Sequence, residues 1–162
     1  MSKIEALYAC IKNLEEEDGF EEFDEFYDKV MSKEIIFNLE DIKKICLIFN
    51  DDNNIMEPHN FMALRRMTFI TIDNYGIEKG FDELIKGLIE IVDNNHVESK
   101  CYINMLMNSY DESNISIFAE LLNNYKKEDK KKIGNLVKEL IVISPDEYKE
   151  RGNIILSVLS NK

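Results

Sequence analysis

The sequence predicts an all-α protein of about nine antiparallel helices, and three observations carry that prediction. Apolar residues recur at steps of three and four almost throughout. No stretch alternates with the two-residue period of a half-buried strand. Helix start signals stand immediately before the periodic segments. With 162 residues, 44% apolar and 32% charged, the chain can bury a real core, and residues 1–162 read as one domain with no Pro/Gly/Ser-rich linker.

Taken in order, Ile4, Leu7, Tyr8, Ile11 and Leu14 stripe a first helix over 3–14. Ser2 with Glu5 opens it, because a hydroxyl accepts from a free backbone N–H while an acid three residues on reaches back. Gly19 is expected to end it. Phe20, Phe23, Phe26 and Tyr27 return at helical spacing in 20–33, with their rings expected inward. Asn38 with Asp41 opens 39–50, striped by Ile42, Ile45, Cys46 and Phe49. Pro58, whose missing N–H is no loss in a first turn, opens 56–74.

That fourth helix differs from its neighbours. Met62, Ala63, Leu64, Met67, Phe69, Ile70 and Ile72 leave little polar face, the pattern of a helix packed on several sides. Arg65 and Arg66 interrupt it, and the third arginine is Arg151, against 17 lysines. Arginine suits partly buried carboxylate pairs, so both are expected to pair with acids of the N-terminal helices; a partner contact is the other reading.

Beyond Gly76, Leu84, Ile85, Leu88, Ile89 and Val92 stripe 78–93. Asn95 with Glu98 opens 96–109, and 113–124 follows. Ile133, Leu136, Val137, Leu140 and Ile141 stripe 127–142; Ser144 with Glu147, and Pro145 at the first helical position, open 145–160. Short connections force neighbouring helices antiparallel. Helix starts recur so that a pair repeats at roughly 40 residues, as in HEAT-like arrays. The architecture is therefore read as irregular stacked helical hairpins, HEAT-like, or else a globular bundle.

The formal charge is −12, from 32 acids and 20 bases. It argues against a protein built to grip nucleic acid or anionic lipid and favours a basic partner. Residues 1–60 carry 16 acids and 6 bases, so most of the imbalance lies there. No charge-free apolar stretch approaches the ~18 residues of a membrane span. The start shows no signal-peptide stretch, and Cys10, Cys46 and Cys101 read as unpaired buried thiols. A soluble cytoplasmic protein is expected.

Catalytic and metal signatures are sparse. His59 and His96 lie 37 residues apart with no zinc motif nearby, and both sit near helix starts. Asp51-Asp52-Asn53-Asn54 lacks the later positions of a calcium loop. No phosphate-cradling glycine loop is present. The expectation is no enzyme, no metal and no cofactor.

The densest unusual feature is 15–28, with nine acids and no base. Glu21, Glu22, Asp24, Glu25 and Asp28 are placed on the outer face of an aromatic-backed helix. That face is either a plain solvated surface or a landing surface for a basic protein, where charge raises association rates and sets specificity. Lys126, Lys127, Lys130, Lys131 and Lys132 form a contrasting patch, diluted by Glu128 and Asp129, that does not read as a nucleic-acid site.

Three stretches carry a resemblance: Ile45-Cys46-Leu47-Ile48-Phe49-Asn50-Asp51-Asp52, which ends a helix in a Phe-x-Asp-Asp turn; the Met-rich helix from Met56 to Phe69; and Tyr102-Ile103-Asn104-Met105-Leu106-Met107-Asn108-Ser109, followed by Phe118, Leu121 and Leu122. Over about residues 42–122 the chain resembles the helical immunity proteins of bacterial polymorphic-toxin and contact-dependent growth inhibition systems, particularly the immunity protein thirty family. It departs from that pattern at Phe69, Ile70 and Thr71, where a more polar end is expected. The resemblance implies a small cytoplasmic protein that binds and neutralises a cognate toxin C-terminal domain. Only Asp51 and Asp52 match motif positions. Charge adds Glu21, Glu22, Asp24, Glu25 and Asp28 as expected toxin contacts, with a nuclease as one possible toxin. A helical-repeat adaptor or scaffold unrelated to toxins is the alternative.

Overall fold

A computed structural model of the chain describes residues 1–50 and 56–161. Among the described residues there are nine α-helices and no strand: α1 Lys3–Lys12, α2 Gly19–Met31, α3 Asp41–Leu47, α4 Pro58–Tyr75, α5 Ile77–Ile91, α6 His96–Ser109, α7 Glu112–Asn123, α8 Lys127–Ile143 and α9 Pro145–Ser160. Short 3-10 turns at Asn13–Glu15 and Ile48–Asn50 extend α1 and α3.

Beyond the hairpins, the most extensive packing joins helices two places apart along the chain: α7 with α9, α3 with α5 and α5 with α7. One layer runs α1, α3, α5, α7, α9, and α2–α4 and α6–α8 contacts build the second. Hairpin contacts, such as α1 with α2 and α8 with α9, join the layers. Between α4 and α6 the link is polar and aromatic: Arg65 donates to Glu98, Thr68 Oγ1 lies 2.9 Å from Tyr102 Oη, and the Phe69 and Tyr102 rings are 6.1 Å apart. The long-range side-chain bonds share one spacing. Arg65–Glu98 spans 33 residues, Tyr110–Asp73 37, Lys132–Asp93 39, Tyr125–Asp82 43 and Asn95–Phe49 46. A roughly constant offset near 40 residues is what stacked hairpins produce, because each helix meets its counterpart in the next pair. The architecture is the irregular hairpin stack.

One buried apolar cluster extends from Ile4 to Ile155. A chain of rings runs through it: Phe61, Phe49, Tyr102, Phe69, Tyr110, Phe81 and Phe118 follow one another at centroid spacings of 5.0–6.1 Å. Phe81 meets both Tyr110 and Phe118 edge-on, a geometry worth about 0.5–1.5 kcal/mol per pair beyond burial. Buried Thr68 and Thr71 return their hydroxyls to the carbonyls of Leu64 and Met67. No buried side-chain polar atom among the described residues lacks a partner.

Several local expectations meet a different outcome. Ser2 and Glu5 form the anticipated reciprocal cap, and Pro58 and Pro145 each stand at a helix start. Asn95 does not cap α6 with its side chain; its amide donates to the Phe49 carbonyl at 2.7 Å, and Glu98 turns to Arg65. Ser144 makes no side-chain cap either. Arg65 therefore pairs within the second layer rather than with an N-terminal helix, whereas Arg66 does reach α2, donating to Tyr27 Oη at 3.3 Å. Gly19 begins α2 instead of ending α1. A Cβ there would lie 1.8 Å from the Asn13 carbonyl oxygen, so only glycine lets the chain close back on the 3-10 turn.

Candidate functional site: the acidic face of α2

The α2 helix is fixed from behind by its aromatic residues. Phe23 and Val30 are buried, and Phe26, also buried, packs its ring 6.1 Å from that of Phe37. Half-buried Tyr27 receives the Arg66 bond, tying α2 to α4. Phe20 departs from the inward expectation: it is 38% exposed, its ring tilted 6.0 Å from that of His59 at the start of α4. Standing in the first turn of α2, it lies at the edge of the core.

Opposite this backing, Glu21, Glu22, Asp24, Glu25 and Asp28 are all exposed. Glu25 pairs with Lys29 at 2.7 Å, and that hydrogen bond draws its pKa down. The side chains of Glu21, Glu22, Asp24 and Asp28 form no ion pair among the described residues. Glu21 and Glu22 also sit in the first turn, where the helix dipole favours negative charge. Beside them a concavity of about 320 Å3 at the α1–α2 junction is lined by Asn13, Glu16, Glu17, Asp18, Gly19 and Glu22. The structure thus brings the five α2 acids onto one surface and adds the acids of the preceding turn to it. Asp51 and Asp52 lie outside the described residues; the adjoining Asn50 donates to the Glu90 carbonyl at 3.4 Å.

The arrangement can attract and orient a positively charged surface; it contains no nucleophile held against a base. Cys10 nearby has its thiol pKa raised by burial and then by the Glu22 charge, the reverse of what activates a cysteine. The two histidines make separate contacts: His59 meets Phe20 and the Asn60 amide, while His96 Nε2 lies 2.9 Å from Glu139. Among the described residues no three His, Cys, Asp or Glu side chains cluster as metal ligands, and no helix is long and apolar enough to cross a membrane.

Away from α2, two features go beyond what the sequence pattern showed: the lysine patch lines a groove, and the end of α8 exposes apolar side chains. Lys127, Lys130 and Lys131 join Lys138 around a groove between α8 and α9, floored in part by Leu156 and Leu159. The helical steps from Lys127 to Lys131 to Lys138 carried the signal; the leucines come from a different helix. On α8, Val142 and Ile143 are 80% and 64% exposed. Lys132, by contrast, is engaged with Asp93 at 2.7 Å.

Comparison with family models, with curated proteins and with solved structures finds no match to the chain.

Proposed function

We propose that this chain is an immunity protein that binds and neutralises a cognate bacterial toxin C-terminal domain through the acidic face of α2. The observation that carries the reading is the set of exposed carboxylates on Glu21, Glu22, Asp24 and Asp28, unpaired within the described residues and held on a helix locked by Phe23, Phe26 and Tyr27. The helix that carries these carboxylates is already in place, so no backbone has to be ordered on meeting a partner, and their field steers a basic surface toward them. A nuclease groove is such a surface, and an acidic cover can stand in for phosphate there. The resemblance over residues 42–122 supplies the toxin context, and the cytoplasm is where such a cover acts.

A second reading, an adaptor unrelated to toxins, draws on the hairpin stack and on the exposed Val142 and Ile143. Co-expression separates the two. If the gene immediately upstream encodes a secreted protein with a variable C-terminal domain, that domain arrests growth alone, and this chain restores growth and co-purifies with it. Absence of rescue and of co-purification contradicts the immunity reading.

A further inference from the structure

The two ends of the stack carry opposite charge. Residues 1–60 hold 16 acids against 6 bases, whereas residues 126–162 hold nine bases against six acids. The fold concentrates the second excess. Between α8 and α9 lies a groove of about 260 Å3, with Lys127, Lys131 and Lys138 on its rim and Leu156 and Leu159 in its lining. The three lysines recur on one face of α8 with Gly134 between them. A Cβ at Gly134 would already touch Leu159 Cδ1 at 3.4 Å, so the glycine keeps this wall of the groove low. All three lysines are exposed, and none forms an ion pair among the described residues.

We infer that this groove receives the acidic α2 edge of a second copy of the chain, joining copies head to tail. The α2 edge offers both features that the groove matches: free carboxylates for the lysine rim, and the partly exposed Phe20 ring for the leucine lining. Acceptor and donor surfaces belong to opposite ends of the stack, so the contact is heterologous. Each added copy presents a fresh acidic end, which gives open chains rather than a closed pair. The overall charge of −12 opposes association at long range. At physiological salt the Debye length is about 8 Å, so distant repulsion is screened while lysine–carboxylate pairs in contact persist. The inference does not rest on the toxin reading; any basic partner on α2 competes with the second copy.

Sedimentation of the full chain at rising concentration tests it. In about 0.1 M salt the weight-average mass climbs above the 19.0 kDa of one chain, and about 0.5 M salt returns it toward that value. Replacing Lys127, Lys131 and Lys138 by Gln disables one end. Glu21→Gln with Glu22→Gln and Asp24→Asn disables the other. Each triple variant alone associates at least about tenfold more weakly. An equimolar mixture forms a capped dimer and nothing larger, because one competent acidic end and one competent basic end remain. A wild type that stays monomeric throughout, association indifferent to either triple variant, or a mixture that stays monomeric overturns the inference.

Discussion

The Arg65–Glu98 pair gives the sharpest test of how the second layer is held. Its side chains are 11% and 14% exposed, so both charges are largely out of water, and they join α4 to α6 alongside the contacts of the Tyr102 ring and hydroxyl. Removing one partner leaves the other buried without compensation. Such losses run to about 3–5 kcal/mol for fully buried pairs, and the residual exposure here brings the expectation to about 2–3 kcal/mol. Arg65→Met or Glu98→Leu alone should therefore lower the melting temperature by roughly 5–10 °C, at about 2–4 °C per kcal/mol for a chain of this size. Arg65→Met with Glu98→Leu replaces the pair by apolar groups of similar bulk and should return to within about 1 kcal/mol of the wild type. Urea unfolding of the four proteins, read by circular dichroism, closes the double-mutant cycle. Single variants that cost less than about 0.5 kcal/mol would place the pair with ordinary surface ion pairs. A double variant showing the sum of the single losses would refute the burial argument altogether.

Two further outcomes follow from the packing. Gly87 faces α3 so closely that a Cβ would lie 2.7 Å from Cys46 Cβ and 2.8 Å from its sulfur; Gly87→Ala should destabilise by about 1–3 kcal/mol through overpacking, measured by thermal unfolding, and a stabilising effect would contradict the contact. Cys46 is fully buried and its thiol is pushed up to about 12 by desolvation, so a thiol reagent near pH 8 should modify the half-buried Cys10 and Cys101 first and reach Cys46 only on unfolding; peptide mass spectrometry showing Cys46 labelled as fast as Cys10 in the folded chain would contradict it.

What could be read in the sequence was whatever depends on local period. Stripes such as Ile133, Leu136, Val137 and Leu140 face the core because a helix repeats every 3.6 residues, and all four are buried. Signals with a non-local competitor were harder. Asn95 has the residue type of a cap, but the Phe49 carbonyl, 46 residues earlier, takes its amide. Glu98, the acid placed to complete that cap, serves Arg65 in the same way. Gly19 follows a helical stripe as a terminating glycine does, yet here glycine is required by the approach of the Asn13 carbonyl, which no local pattern reveals. The exposure of Phe20 depends on where α4 begins, and the lysine groove on where α9 lies. Outward placement of the α2 acids was legible because the aromatics define the opposite face. That Glu21, Glu22, Asp24 and Asp28 form no ion pair among the described residues required the positions of the other helices.

If the α2 carboxylates guide and hold a basic toxin domain, as proposed, stopped-flow association with the upstream-encoded domain reads that role out. Wild-type association should slow steeply as salt rises. Reversing Glu21, Glu22, Asp24 and Glu25 to Lys should slow it by about tenfold or more at low salt and flatten the salt dependence, because the steering field is then gone. An association rate that is the same for both proteins at every ionic strength would contradict the claim.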